Sequence, residues 1–306
     1  MALHQSNLRF LSYRFKTAFW QCLAGIRFFW FLKAFDEEHD LTFPDLTVAE
    51  GAWNFLDTIG FKLYVDWRFD QKALKGLPVL FYADHPGYIE PFLILAALKE
   101  FNPKVVATAW IRNLSPLIAE RIIAVPDSLE VVRKSLSQYR GVRRILETVW
   151  AYLIVIPVTS HLQGDVSPEE NRLLRIGAFR AILQTFLQNE ALLLFPQGGE
   201  GQKPWVGDYT EGFRRLLEIL LRNRRDNPVL NELRLVPVVI RRYSIRALFK
   251  SRLVMGFHPL YFPFRLLPGR PFEISIREQF VLSELAKSFT DTEQMVCHLM
   301  QRLKIK

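Results

Sequence analysis

The chain has 306 residues and half of them are hydrophobic, which is enough apolar material for one large domain or two small ones. With 23% charged residues, the composition excludes a wholly disordered chain. Only Cys22 and Cys297 are present and they lie far apart, which excludes a disulfide framework and a CxxC metal site. The net charge of +9 indicates an anionic partner without choosing among lipid, nucleic acid and a phosphate-bearing carrier.

Residues 1–35 form a distinct basic and aromatic segment, with no acidic residue before Asp36. Its most apolar run, 18–35, contains Arg27 and Lys33 and falls short of the roughly 20 uncharged residues of a spanning helix. Cations mixed with Trp and Phe are typical of an amphipathic helix in the headgroup region. We therefore predict a membrane-docking helical segment over 1–35 and a single domain over 36–306. The expected membrane contacts are Trp20, Phe28, Phe29, Trp30 and Phe31. A helix packed on the protein's own core is the alternative.

Beyond residue 77, short β-rich runs alternate with helical stretches. The predicted strands are 80–83, 104–108, 153–158, 191–195, 235–240 and 272–276. The predicted helices are 89–101, 129–150, 168–189, 209–222 and 283–303. This alternation predicts an α/β fold with a mostly parallel central sheet and helices on both faces. Ligands of such sheets bind outside the carboxyl ends of the strands, which directs attention to the turns after Ala83, Val158 and Phe195.

The turn after the first predicted strand reads Asp-His-Pro-Gly-Tyr-Ile-Glu over residues 84–90. It sets His85 at the carboxyl end of the strand and Glu90 on the first turn of the next helix. An imidazole is the side chain best suited to removing a hydroxyl proton near neutral pH. A carboxylate bonded to its other nitrogen would fix the tautomer and stabilise the imidazolium. Asp84 is a rival partner, but adjacent residues of an extended chain point to opposite faces, which favours Glu90. The alternative is a histidine that only packs or caps.

The turn at residues 195–201 runs from an apolar strand into the sequence Phe-Pro-Gln-Gly-Gly-Glu-Gly. Glycines let the backbone approach a ligand, and their N–H groups can point at a developing oxyanion. The GK[ST] ending of a P-loop is missing. The predicted substrate-binding residues are Phe195, Pro196, Gln197, Gly198, Gly199 and Glu200. A plain strand-to-loop turn is the alternative.

Three stretches, His-x4-Glu at 85–90, Phe-Pro-x-Gly at 195–198 and Leu-Val-Pro-Val-Val-Ile at 235–240, together resemble blocks of the glycerolipid acyltransferases. This superfamily includes the lysophosphatidic acid and glycerol-phosphate acyltransferases, and the resemblance covers roughly residues 77–280. It implies acyl transfer from acyl-CoA or acyl-carrier protein to a lipid hydroxyl, with His85 as the base and no metal or other cofactor. It also implies the α/β fold and an N-terminal membrane-docking element.

Several positions depart from the family's usual blocks. They are Asp84 for Asn, Glu90 for Asp, Gln197 for Glu, Gly199 for Thr and Glu200 for Arg. That Arg, and one in a second block that falls here at 153–160, hold the acceptor's phosphate in the family. Because an acid repels phosphate, we expect a non-phosphorylated lipid alcohol as acceptor. Arg241 and Arg242 could instead form a relocated phosphate site, and a catalytically inactive lipid-binding relative is the remaining alternative.

The expected partners are therefore an acyl-CoA or acyl-carrier-protein donor, a lipid alcohol and a membrane surface with anionic lipid. Nucleic acid is not expected, because no zinc finger, RNA-recognition signature or basic repeat accompanies the positive charge. We expect a peripheral or monotopic protein on the cytoplasmic face of a membrane.

Overall fold

The computed structural model describes residues 28–42, 44–58, 61–84, 90–109, 112, 116–125, 168–196, 211–241 and 272–303. Its α-helices are α1 (Phe28–Thr42), α2 (Val48–Thr58), α3 (Glu90–Ala97), α4 (Pro116–Ala119), α5 (Pro168–Leu187), α6 (Glu211–Asn223), α7 (Leu282–Ser288) and α8 (Thr292–Gln301). Its strands are β1 (Leu63–Trp67), β2 (Val79–Ala83), β3 (Lys104–Thr108), β4 (Ile122–Val125), β5 (Ala191–Leu194), β6 (Arg234–Ile240), β7 (Phe272–Ile276) and β8 (Phe280–Val281). Short 3-10 helices span Gln71–Leu74 and Pro228–Glu232.

The described strands form one sheet in the order β1-β7-β6-β2-β5-β3-β4, with β8 paired to β6. Strands β2 to β6 run parallel to one another. β7 and β8 run antiparallel to β6, and β1 runs parallel to β7. The predicted α/β fold with a mostly parallel sheet is thus confirmed. The predicted strand 153–158 and helix 129–150 lie outside the described residues.

Side chains of β2 alternate between two apolar layers that cover the sheet. Val79, Phe81 and Ala83 pack with the helices α1, α2 and α3 on a side that we call face one. Leu80 and Tyr82 pack with α5, α6, α7 and α8 on the other side, face two. All five residues are at most 1% exposed, as expected of a strand covered on both faces. The continuous apolar run of β2 therefore indicates a strand that is covered on both faces, as the structure has it.

Tyr82 brings a polar group into face two. Its hydroxyl donates a hydrogen bond to the carbonyl oxygen of Leu299 over 3.2 Å. Burial raises the pKa of the Tyr82 phenol far above its ordinary value, so the group stays neutral. This hydrogen bond connects β2 to α8. It also gives the Tyr82 hydroxyl, the only polar atom of this buried side chain, a partner.

The prediction of one helix over 283–303 is wrong, because the chain forms α7 and α8 with an extended break between them. Phe289 has φ −125° and ψ 125°, and Asp291 has φ −115° and ψ 130°. The Asp291 carboxylate accepts a hydrogen bond from the backbone N–H of Glu293 over 3.0 Å and so caps α8. Local capping by an acidic side chain therefore interrupts the helical periodicity.

Helices α1 and α2 meet where His39 lies against Gly51. His39 is 3% exposed, and its Nε2 lies 3.0 Å from the carbonyl oxygen of Leu46. A Cβ atom added at Gly51 would lie 2.2 Å from His39 Cδ2, far inside van der Waals contact. The glycine is therefore required by the close approach of the two helices.

Gly51→Ala should lower the free energy of unfolding by about 1–3 kcal/mol, because a packed contact must open to admit the methyl group. Gly177→Ala in the interior of α5 is the matched control, since its added Cβ would meet no described atom within 4 Å. That control should raise the free energy of unfolding by about 0.5–1 kcal/mol through helix propensity. Denaturant unfolding of both variants measures the difference, and equal effects would contradict the close packing.

Candidate active site

The two turns predicted to carry chemistry leave the same edge of the sheet. β2 pairs with β5 in parallel, with Tyr82 opposite Leu194. The chain therefore leaves β2 at Asp84 and β5 at Phe195 on neighbouring strands, about 5 Å apart in the hydrogen-bonding direction. Both strands have their carboxyl ends at this edge, and this is the edge where parallel sheets bind ligands.

The third sequence block lies on the other side of β2. β6 pairs with β2 in parallel, with Pro237 opposite Tyr82 and Val238 opposite Ala83. The strands that carry the three blocks are thus adjacent in the order β6-β2-β5, although they are far apart in the chain. The fold therefore brings the strands of the three sequence blocks next to one another in the sheet.

The predicted catalytic pair is only partly described. Helix α3 is described from Glu90 to Ala97, whereas the sequence predicts a helix over 89–101. The side chain of Glu90 and the whole of His85 lie outside the described residues, and so do Gln197, Gly198, Gly199 and Glu200. The hydrogen bond between His85 and Glu90 therefore stays a prediction. That these two side chains face the glycine turn also stays a prediction.

Phe195 and Pro196 are the described residues of the glycine turn, and both are buried. Phe195 is 8% exposed and belongs to the apolar cluster of face one, which anchors the start of the turn on the core. Contact of either residue with a substrate stays a prediction.

Residues predicted to touch a membrane lie at the start of α1. Phe28, Phe29, Trp30 and Phe31 occupy the first turns of the helix, and Trp20 lies outside the described residues. The helix crosses the predicted segment boundary at residue 35 and continues to Thr42, with Phe35 fully buried in face one. None of the helices described here is both long and apolar enough to cross a membrane.

Arg241 and Arg242 are the two residues that could form a relocated phosphate site. Arg241 follows β6 directly, and its Nη1 lies 3.6 Å from Asp66 Oδ2, whereas Arg242 lies outside the described residues. Asp66 belongs to β1, which has no counterpart among the predicted elements. The alternation of Tyr64, Asp66 and Arg68 with apolar neighbours is a period-two signal for that strand.

A cleft of about 330 Å³ opens at the opposite, amino edge of the sheet. It is lined by Leu77 just before β2 and Ala191 at the start of β5, with Lys75, Arg121 and Glu190 among its polar residues. None of the described site residues predicted from the sequence lines this cleft. In the described part of the chain, no group of three His, Cys, Asp or Glu side chains could hold a metal ion.

Comparisons with known proteins add no further assignment. No model of a protein family matches the chain. No curated protein sequence gives a significant match to it either.

Proposed function

We propose that the protein is an O-acyltransferase that moves a fatty acyl group from acyl-CoA or acyl-carrier protein to a hydroxyl of a non-phosphorylated lipid. The proposal is supported most directly by one observation: the chain leaves two adjacent parallel strands, β2 and β5, at the same carboxyl edge of the sheet. One turn contains a histidine with an acid five residues later, and the other contains three glycines. A base and a set of backbone donors at one edge are the parts that acyl transfer requires.

In the proposed reaction, His85 removes the proton of the acceptor hydroxyl as its oxygen bonds to the thioester carbonyl carbon. Backbone N–H groups near Gly198 and Gly199 stabilise the negative charge that develops on the carbonyl oxygen. The carbon–sulfur bond then breaks, and the imidazolium returns the proton to the leaving thiolate. Glu90 holds the imidazole in the correct tautomer and stabilises its charged form. No protein nucleophile takes part, and no acyl-enzyme forms.

The neutral acceptor is supported by the charge of the glycine turn. Glu200 stands where the resembling family has a phosphate-binding arginine. A carboxylate repels a phosphate group at short range. The proposal also includes docking on an anionic membrane at the cytoplasmic face, which is supported by the basic and aromatic composition of residues 1–35.

Incubation of the purified full chain with labelled acyl-CoA or acyl-carrier protein tests this function. The acceptors are diacylglycerol, a lyso-glycolipid, a long-chain alcohol and lysophosphatidic acid, each supplied in mixed vesicles. We expect an ester of a neutral acceptor and one free thiol for each ester formed. An ester of lysophosphatidic acid alone would contradict the acceptor class.

The altered third block, with Gln197, Gly199 and Glu200, favours one second candidate, an inactive relative that only binds lipid. In the same incubation this candidate predicts no ester with any acceptor and no release of thiol. That outcome would refute the proposed enzyme.

A further inference from the structure

Four arginines gather on face two beside the edge proposed for catalysis. They are Arg68 after β1, Arg241 after β6, Arg277 after β7 and Arg302 after α8. A single oxygen, Asp66 Oδ2, lies 3.0 Å from Arg68 Nε and 3.6 Å from Arg241 Nη1. Arg277 Nη1 donates a hydrogen bond to the carbonyl oxygen of Arg302 over 2.5 Å. We call these four side chains the arginine cluster.

The members of the arginine cluster repel one another. Burial lowers the pKa of Arg277, and the positive charges of Arg241, Arg302 and Arg68 lower it further. The Asp66 carboxylate contacts Arg68 and Arg241, and Glu273 lies beside Tyr64 in the register of β7 with β1. The mutual repulsion of the arginines concentrates positive charge at one place on the sheet, and a bound anion would relieve it.

Ser275 supplies a second, independent observation. It lies on β7 opposite Asp66 on β1 and Val239 on β6. Its side chain is fully buried, and its Oγ has no hydrogen-bond partner among the described residues. Because Ile274 and Ile276 point to face one, Ser275 points to face two, between the positions of Glu273 and Arg277. A buried hydroxyl without a partner is costly, and a ligand oxygen would satisfy it.

We propose that the arginine cluster, with Ser275 on its floor, binds a phosphate monoester dianion. Guanidinium groups suit this ligand because each can donate two parallel hydrogen bonds to phosphate oxygens. The 3.6 Å between Arg241 Nη1 and Asp66 is longer than a hydrogen bond, so this contact holds Arg241 only weakly against a competing anion. A phosphate monoester carries two negative charges and several acceptor oxygens, so it can accept hydrogen bonds from more than one guanidinium group at once.

The position of the cluster relates the phosphate to the proposed reaction. Val238 lies opposite Ala83, so Arg241 stands three residues further along β6, beyond the carboxyl end of β2. In the proposed function the acceptor is neutral, so a phosphate held there would be the 3′-phosphate of a CoA donor. That assignment rests on the proposed function, whereas binding of the anion does not, and a phosphorylated acceptor would keep the site and refute the acceptor class.

Isothermal titration of the full chain tests the site, with CoA, dephospho-CoA and glycerol 3-phosphate as probes at matched ionic strength. Arg68→Gln combined with Arg241→Gln should weaken binding of the preferred probe about tenfold or more, the effect of one lost charged hydrogen bond. Arg172→Gln combined with Arg175→Gln on α5 is the matched control. Both of those arginines are exposed, and the control removes the same charge elsewhere. It should leave binding unchanged.

Each probe gives a distinct result. Tight binding of CoA with at least tenfold weaker binding of dephospho-CoA supports a donor phosphate, and binding of glycerol 3-phosphate but not glycerol supports an acceptor phosphate. Wild-type protein that binds none of these phosphates, or equal losses in the two double variants, would overturn the site. Because binding is measured without turnover, a protein that binds CoA but forms no ester would refute the proposed function and leave the site standing.

Discussion

Replacement of His85 by alanine should lower the rate of acyl transfer about a hundredfold to ten-thousandfold, the usual contribution of a general base. The loss should appear in kcat, because the imidazole acts on the hydroxyl proton in the transition state and adds little to substrate binding. Ester formation from labelled acyl-CoA measures the rate, and thermal unfolding checks that the variant is folded.

Three further variants control this experiment. Glu90→Gln removes the negative charge at nearly constant shape and should lower the rate, whereas Glu90→Asp keeps a carboxylate and should restore much of it. His298→Gln replaces a histidine on α8 whose ring packs against Phe280 and Phe289, and it should leave the rate unchanged. Wild-type activity in His85→Ala would contradict the assignment of the base.

Replacement of Phe35 by alanine should lower the free energy of unfolding by about 3–5 kcal/mol. Phe35 is fully buried, and its ring centroid lies 5.4 Å from that of Phe55 and 5.3 Å from that of Phe92, both edge-on. Removing the ring would leave a cavity where α1 packs against α2 and α3. Denaturant unfolding gives the change directly.

Leu41→Ala is the matched control for this loss. Leu41 lies on the same helix and is 84% exposed, so its truncation should change the free energy of unfolding by less than about 0.5 kcal/mol. Equally small effects at both positions would show that α1 is not docked on the core. The distinction bears on the membrane proposal, because Phe28 to Phe31 begin the helix that Phe35 anchors.

The central strands could be predicted from the sequence because each is a continuous apolar run. The predicted strands 80–83, 191–195 and 235–240 agree within one residue with β2, β5 and β6. The strands at the two ends of the sheet order could not be predicted in this way. β1 carries Tyr64 and Asp66 on its polar side, and β4 is a four-residue apolar run, a length at which strand and helix cannot be told apart by periodicity.

Only those parts of the candidate site that are formed by residues close together in the sequence could be predicted. The turns after β2 and β5 are visible as a histidine turn and a glycine turn, and α3 begins near the expected residue. That β2 lies between β5 and β6 is set by strand pairing between distant segments, which no local pattern encodes. The arginine cluster was missed for the same reason, since the pairing of β1 with β7 and of β7 with β6 places Asp66 within reach of both Arg68 and Arg241.

The most direct test of the central claim is mass spectrometry of lipids from cells in which His85→Ala replaces the wild-type protein. If the protein esterifies a lipid alcohol through His85, one ester class should fall in these cells and the corresponding alcohol should accumulate. Identical lipid profiles in wild-type and variant cells would contradict the claim.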